Sequence, residues 1–226
     1  MTGTVLNILA LAPALIFAIV FHEVAHGYTA LALGDPTAKE RRRLSLNPIR
    51  HVDPIGTLVL PGVLLLAGAP AFGWAKPVPV IQQRLRNPRF GMMAVAAAGP
   101  LTNLVLATLG ALAIGLLVRG GNPPAGGLAA YLLLAFTYFV LINVFLAFFN
   151  LLPIPPFDGS HIVEGLLPRS WAAQYGKLRG VGMALFFVLV ALSWYGPTSG
   201  LLGNLIGPPV EWMLGWFDGL IGWVKG

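Results

Sequence analysis

Long apolar stretches separated by short polar segments set the hydropathy pattern of this chain. Nearly uncharged windows of about 18–25 residues have the length that a helix needs to cross a bilayer. Because the apolar stretches are continuous and do not alternate with polar positions, they predict helices rather than the strands of a membrane barrel. The predicted helices run over Leu6–Leu33, Phe90–Val118, Leu128–Phe149, Leu178–Tyr195 and Pro208–Val224. The pattern therefore predicts an all-α polytopic membrane protein with about 5–6 membrane helices.

The last of these helices differs from the others in its polar positions. It places Trp212, Trp216 and Trp223 on one face and Glu211 and Asp218 on another. Aromatic and charged faces of this kind are typical of an interfacial helix or of the end of a span.

An apolar segment between the first two long helices is too short for a simple span. Thr57–Phe72 has 16 residues, with internal proline and glycine, and basic runs lie before it (Lys39–Arg50) and after it (Lys76–Arg89). Basic loops concentrate on the cytoplasmic side of a membrane. If the segment dips into the membrane and returns, both basic runs lie on that side, and only Arg119 is an exception. We therefore predict that the segment is re-entrant.

Composition supports a membrane protein and narrows its chemistry. Only 10% of the residues are charged, and the mean hydropathy is +0.79, which is rare for a soluble domain. The net charge of +6 is explained by cytoplasmic loops without invoking nucleic acid. Cysteine is absent, which excludes disulfides, thiol nucleophiles and thiolate ligands. Any metal site must therefore use histidine, aspartate or glutamate.

Three ionisable side chains interrupt the first apolar helix, in the sequence "HEVAH" (His22 to His26). Burying them in hydrocarbon costs several kcal/mol unless something compensates. His22 and His26 are four residues apart, so a helix puts both imidazoles on one face, where they can share a metal ion. Glu23 is placed to act on a metal-activated water, first as general base and then as general acid toward the leaving amine. About 24 Å of helix precedes His22, which places the site inside the membrane.

Two histidines leave a zinc ion short of one protein ligand, because catalytic sites usually have three protein ligands and a water. The segment "NLLPIPPFDGSH" favours Asp158, since its prolines cannot continue a helix. Unwound backbone at membrane depth must be buried in protein or line a wet cavity. His161 is the next candidate, and Asp53 is a weaker one because Asp-Pro also makes an ordinary turn. The remaining candidates are His51 and Glu164.

These motifs resemble those of the site-2 proteases, a family of intramembrane zinc metalloproteases, in a compact form without a PDZ or CBS domain. The matching elements are "HEVAH", "GPLTN" (Gly99 to Asn103) and "NLLPIPPFDG" (Asn150 to Gly159), in the family's order. The resemblance implies one Zn²⁺ ion bound by His22, His26 and Asp158, and it implies that Glu23 is the base.

The resemblance also implies roles for two asparagines and a structural element. Asn150 and Asn103 are expected near the substrate or the scissile carbonyl, as oxyanion candidates. Interhelical hydrogen bonding next to small residues is an equally good explanation for Asn103. The stretch Leu44–Val80, after the first helix, looks similar to the family's sheet-forming element. A small membrane-associated β element is therefore expected there, with an edge that pairs with an extended substrate. We expect a single domain over residues 1–226, with a catalytic core over about residues 6–165 and C-terminal helices over about residues 178–224.

The expected function is that of an intramembrane zinc endopeptidase, which hydrolyses a peptide bond within or near a transmembrane segment of a membrane protein. The expected partners are that substrate and the lipid bilayer, with no nucleic acid and with no signal for the oligomeric state. We expect a multi-pass protein of the cell membrane whose active site lies toward the cytoplasm.

Two other functions fit some of these features. An ion or metal transporter also needs ionisable residues inside the membrane, but it often shows paired repeats or two broken helices. A scaffold that binds zinc for folding would not need the base Glu23. Arg50, His51 and Asp53 either shape the rim of the active site or serve only the loop that contains them.

Overall fold

The computed structural model describes residues 2–66, 73–124, 126–195 and 200–226, and in these residues it is built of helices and loops. The α-helices are α1 (Thr2–Ala32), α2 (Thr37–Glu40), α3 (Leu60–Leu66), α4 (Pro88–Leu117), α5 (Leu128–Asn150), α6 (Asp158–Leu166), α7 (Arg169–Tyr175), α8 (Gly182–Tyr195) and α9 (Leu201–Lys225). A π-helical turn covers Pro54–Val59, and three short 3-10 turns cover Pro48–His51, Gln82–Arg84 and Gly176–Gly180.

Three long helices, α1, α4 and α5, form the centre of the fold, and each contacts the other two. Small side chains line their contacts, among them Ala18, Ala96, Ala107, Ala111 and Ala147, all buried. Small residues let helix backbones approach closely, which is how helices associate in a membrane without a hydrophobic driving force. Helix α9 packs against α4 and α5, and α6 packs against α4.

The described residues contain fewer spans than the sequence predicts. Helices α1, α4 and α5 are long and apolar enough to cross a membrane, and α7 with α8 adds a fourth span if that pair, bent by 69°, forms one. The described residues therefore support three or four membrane helices and not the predicted total of about 5–6. Helix α9 is long enough, but its two acids and two internal prolines make it less apolar than the three spans.

The boundaries of the central helices follow local signals. Helix α4 begins two residues before its predicted start because the Asn87 side chain accepts a hydrogen bond from Phe90 N, with Pro88 in the first turn. Helix α9 begins at Leu201, seven residues earlier than predicted, and continues through Pro208 and Pro209.

The predicted β element is wrong for the described residues, which contain no β-strand. Residues 73–81 are extended, yet Pro77 and Pro79 have no amide hydrogen to give to a neighbouring strand. The amides of Val78 and Ile81 donate instead to carboxylates at or just after α1, at 2.7 and 2.6 Å. The extended chain is therefore held by these two carboxylates and by backbone bonds from Trp74 N and Lys76 N to loop carbonyls, and not by a second strand.

The chain at the start of the predicted re-entrant segment contacts the chain just after it. Trp74 N donates to Gly56 O at 3.1 Å, and the Thr57 hydroxyl donates to Trp74 O at 2.9 Å. Gly56 is required there, since a Cβ would lie 2.3 Å from the Trp74 ring nitrogen. These contacts close a loop between Gly56 and Trp74. Residues 67–72 lie outside the described residues, so the re-entrant path stays a prediction.

The predicted break after α5 is present. The helix ends at Asn150, the chain turns through Pro153–Pro156, and α6 begins at Asp158. The turn packs tightly against the end of α5, because a Cβ on Gly159 would lie 2.2 Å from Leu151 O. This turn brings the first residue of α6 back toward the centre of the bundle.

Candidate active site

Two histidines of α1 lie one turn apart and face α4. The ring centroids of His22 and His26 are 4.6 Å apart, with the rings at 88° to each other, and both side chains are buried. Helix α4 approaches them at Gly99, where a Cβ would lie 2.5–2.6 Å from atoms of both rings. A glycine at this position is therefore what allows the two imidazoles to fit between α1 and α4.

Hydrogen bonds at the Nδ1 atoms fix the orientation of both imidazole rings. The His26 Nδ1 lies 2.7 Å from the carbonyl oxygen of Val95, and the His22 Nδ1 lies 2.6 Å from Asn103 Oδ1. The Asn103 amide is oriented by its own donor bonds, to Ala18 O at 3.2 Å and to Asn143 Oδ1 at 2.8 Å. Because both Nδ1 atoms face acceptors, each Nδ1 is a donor, and each Nε2 is the ring nitrogen directed toward Asp158.

Asp158 completes a cluster of three side chains that could share one metal ion. Its Oδ2 lies 3.1 Å from His22 Nε2 and 3.3 Å from His26 Nε2. The three ligand atoms lie within 4.8 Å of one another, and no other such group of histidine and acid side chains is found in the described ranges. Hydrogen-bonded imidazoles that present Nε2 beside a carboxylate are a common arrangement of metal ligands in proteins.

Glu23 lies beside this cluster and is held from outside α1. Its Oε2 accepts a hydrogen bond from Val78 N at 2.7 Å, which ties the carboxylate to the extended segment. The cluster and Glu23 line a cavity of about 280 Å³. The other walls are mostly apolar, formed by Pro77, Val78, Val80, Met92, Val95, Ala96 and Pro156, with Asn150 and His161 as further polar members.

The two predicted asparagines occupy different positions. Asn103 is fully buried, and its amide group is used by His22, Ala18 and Asn143, so its contacts support the interhelical interpretation. Asn150 lines the cavity, and its Nδ2 donates to Leu146 O of its own helix at 3.0 Å.

The alternative third ligands lie outside the cluster. Asp53 caps the next turn of the loop, where it accepts from Ile55 N and Gly56 N at 3.0 and 2.7 Å. His51 faces Ser45 O at 2.8 Å. His161 reaches the cavity but is not one of the three clustered ligands. Burial of its imidazole and the nearby Arg179 charge lower the pKa of His161 to about 4, so it is neutral near pH 7.

Several residues that shape the site were missed by the sequence reasoning. The Val95 carbonyl and the Val78 amide are backbone groups and leave no side-chain signal. Asn143 follows no motif, although an asparagine in an apolar helix is itself a signal, because a polar side chain there needs a partner. Gly99 belongs to the "GPLTN" element, but its contact with both histidines follows only from the packing of α1 on α4.

The fold and the site define a membrane protein with a candidate metal centre between its spanning helices. The profile of peptidase family M50 matches residues 125–193, which include the break before Asp158. YwhC of Bacillus subtilis is 39% identical over 175 residues, which cover 77% of this chain and 77% of YwhC. Rip2 of Mycolicibacterium smegmatis is 31% identical over 198 residues, covering 82% of this chain and 72% of Rip2.

A third relative, Rip3 of Mycobacterium tuberculosis, is 38% identical over 128 residues, covering 54% of this chain and 30% of Rip3. All three relatives bear the provisional name of zinc metalloprotease. No solved structure matches the chain. The chain belongs to peptidase family M50, the site-2 protease family of zinc metalloproteases.

Proposed function

We propose that this chain is an intramembrane zinc endopeptidase, which hydrolyses a peptide bond within or near a transmembrane segment of a membrane protein. The observation that carries the proposal is the cluster of His22, His26 and Asp158 beside Glu23, on and next to an apolar spanning helix. Residues 6–165 would form the catalytic core, and residues 178–224 the C-terminal helices.

The proposed cofactor is one Zn²⁺ ion held by His22, His26 and Asp158. Asp158 Oδ2 lies within 3.3 Å of both Nε2 atoms, and two neutral imidazoles with an ionised carboxylate would offer three lone pairs to one cation. Two imidazoles and a carboxylate match the ligands of catalytic zinc sites. Bound zinc acts as a Lewis acid and lowers the pKa of water to about 7.

Glu23 is the proposed general base and acid. Its Oε2 is held by Val78 N, whereas its Oε1 has no hydrogen-bond partner in the described part of the chain. Oε1 is therefore available to take a proton from the attacking water and then to pass it to the leaving amine. These two proton transfers return Glu23 to its starting charge after each cleavage.

The cavity suits an apolar substrate that has lost its helical structure. A transmembrane helix hides its peptide groups, so the segment must unwind before cleavage. The apolar walls at Val80, Met92 and Val95 would contact apolar side chains of such a segment. We place the site toward the cytoplasm, because the basic residues 39–50 follow α1 directly.

Zinc content and cleavage of a model transmembrane substrate, measured together in detergent, test this proposal. Glu23→Gln should keep zinc and lose cleavage, whereas Asp158→Ala should lose both. Unchanged cleavage by Glu23→Gln would reject the proposed base. If Asp158→Ala keeps zinc and still cuts, Asp158 is not the third ligand. Zinc flux by wild type in sealed vesicles, without cleavage, would favour a transporter instead.

A further inference from the structure

The basic run at residues 41–43 is uniform in sequence but not in structure. Arg41 and Arg42 are exposed, and their side chains make no hydrogen bond or ion pair within the described ranges. Arg43 is half-buried, and its guanidinium donates to the backbone carbonyls of Arg50, Lys76 (2.6 Å) and Pro77 (3.4 Å). A role in membrane topology applies to all three charges equally and does not explain this difference.

One peptide group connects Arg43 to the site. The carbonyl of Pro77 faces the Arg43 guanidinium, and the amide of the same peptide group, Val78 N–H, donates to Glu23 Oε2 at 2.7 Å. The group is planar and trans, so its C=O and N–H point in opposite directions. A positive charge on the carbonyl side also polarises the amide and strengthens its bond to Glu23.

The neighbouring sequence offers no replacement for this contact. Pro77 and Pro79 have no amide hydrogen, so Val78 and Val80 supply the only N–H groups in residues 77–80. Arg43 is also the only side chain, among those the structure describes, that donates a hydrogen bond to the backbone of residues 76–80. Besides Glu23 itself and the backbone bond from Lys76 N to His51 O, Arg43 is therefore the described group that holds the peptide of Val78 most directly.

We infer that Arg43 is a positioning residue for catalysis. It holds the peptide group between Pro77 and Val78, and through that group it holds the Glu23 carboxylate in its catalytic orientation. This inference rests on the proposed role of Glu23. Arg43 makes no contact with the three clustered ligands, so its loss affects turnover and leaves metal binding intact.

Arg43→Gln and Arg41→Gln form a matched pair, because each removes one positive charge from the same basic run. We expect Arg43→Gln to lower kcat about 10–100-fold, as small misplacements of catalytic groups do, with KM and zinc content close to wild type. Arg41→Gln should cleave like wild type. Arg43→Lys should recover part of the loss, because an ammonium group still donates to the Lys76 carbonyl.

A second variant tests the same contact from the other side. Val78→Pro removes the amide hydrogen, whereas Val78→Ala keeps it, so the ratio of their kcat values reports the bond to Glu23. The effects of Arg43→Gln and Val78→Pro should not multiply in the double variant, because both act through one contact. Multiplying effects would overturn the inference.

Two further results would also overturn it. One is equal kcat for Arg43→Gln and Arg41→Gln, and the other is loss of zinc in parallel with activity in Arg43→Gln. Glu23→Gln in the same assay separates the two proposals. If Glu23→Gln is inactive while Arg43→Gln behaves like Arg41→Gln, the role of Arg43 fails and the proposed function stands. If Glu23→Gln cuts like wild type, the proposed function itself fails.

Discussion

Gly99→Ala is predicted to weaken metal binding more than protein stability. The added Cβ would lie 2.5 Å from His22 Cε1, 2.6 Å from His22 Nε2 and 2.6 Å from His26 Cε1. Ordinary contacts between carbon atoms begin near 3.5 Å, so the two rings must retreat by about 1 Å. Metal sites tolerate ligand displacements of only about 0.2 Å. Neither ring can turn away freely, because each Nδ1 is tied to a partner.

We expect Gly99→Ala to lower zinc affinity by at least about 100-fold, which corresponds to about 2.8 kcal/mol. The measurement is competition of the purified protein with a chelator of known affinity, together with zinc content. Gly110→Ala is the matched control in the same helix, since its Cβ would press on Val140 and Phe139 and touch no ligand. It should lower the thermal midpoint and retain zinc. Wild-type zinc affinity in Gly99→Ala would refute the packing of α1 on α4 described above.

Three other predictions follow from separate parts of the structure. Asn103→Leu removes the hydrogen-bond acceptor of His22 Nδ1. It should lower zinc affinity about 10–100-fold in the same competition assay. Zinc affinity equal to that of wild type would mean that Asn103 does not fix the His22 ring. Burial disfavours ionisation of Asp35, but hydrogen bonds from Thr37 and Ile81 N outweigh it and lower the pKa of Asp35. Its stabilising contribution is therefore complete above the unfolded carboxyl pKa of about 4 and is lost as the pH falls through the lower folded value. Asp35→Asn should lower the thermal midpoint at pH 7 and flatten its decline toward pH 3, and parallel midpoint curves for the two proteins would contradict this. Cysteines introduced at Gln83 and Gly120, on either side of α4, should react with a membrane-impermeant reagent from opposite faces of a vesicle, and labelling from one face would contradict a full span by α4.

The cluster of His22, His26 and Asp158 could be predicted because its signals are local. A spacing of four residues places His22 and His26 on one face of any helix, and three nearby prolines force a break before Asp158. The structure adds that the break turns back to bring Asp158 within 3.3 Å of both histidines. The roles of these residues as zinc ligands stay predictions until the metal is measured.

The parts of the fold that were mispredicted depend on distant contacts. Residues 73–81 have an alternating pattern that favours a strand, but whether a strand forms depends on a partner for its amides. Here Glu23 and Asp35 take two of those amides, and prolines remove two more. The number of spans was overestimated because apolar length alone does not separate a spanning helix from α9, which packs along α4 with exposed tryptophans.

The hydrogen bonds of Asn103 have a consequence for how the protein assembles in the membrane. Asn103 joins α1, α4 and α5 through His22, Ala18 and Asn143, and none of these bonds involves an ion. In small zinc domains the metal supplies the free energy of folding, so the apo chain is unfolded. Here the helices are already joined by polar contacts inside the bilayer, and the ligands are oriented in advance. For the proposed zinc site, insertion and assembly would therefore not need to wait for the metal.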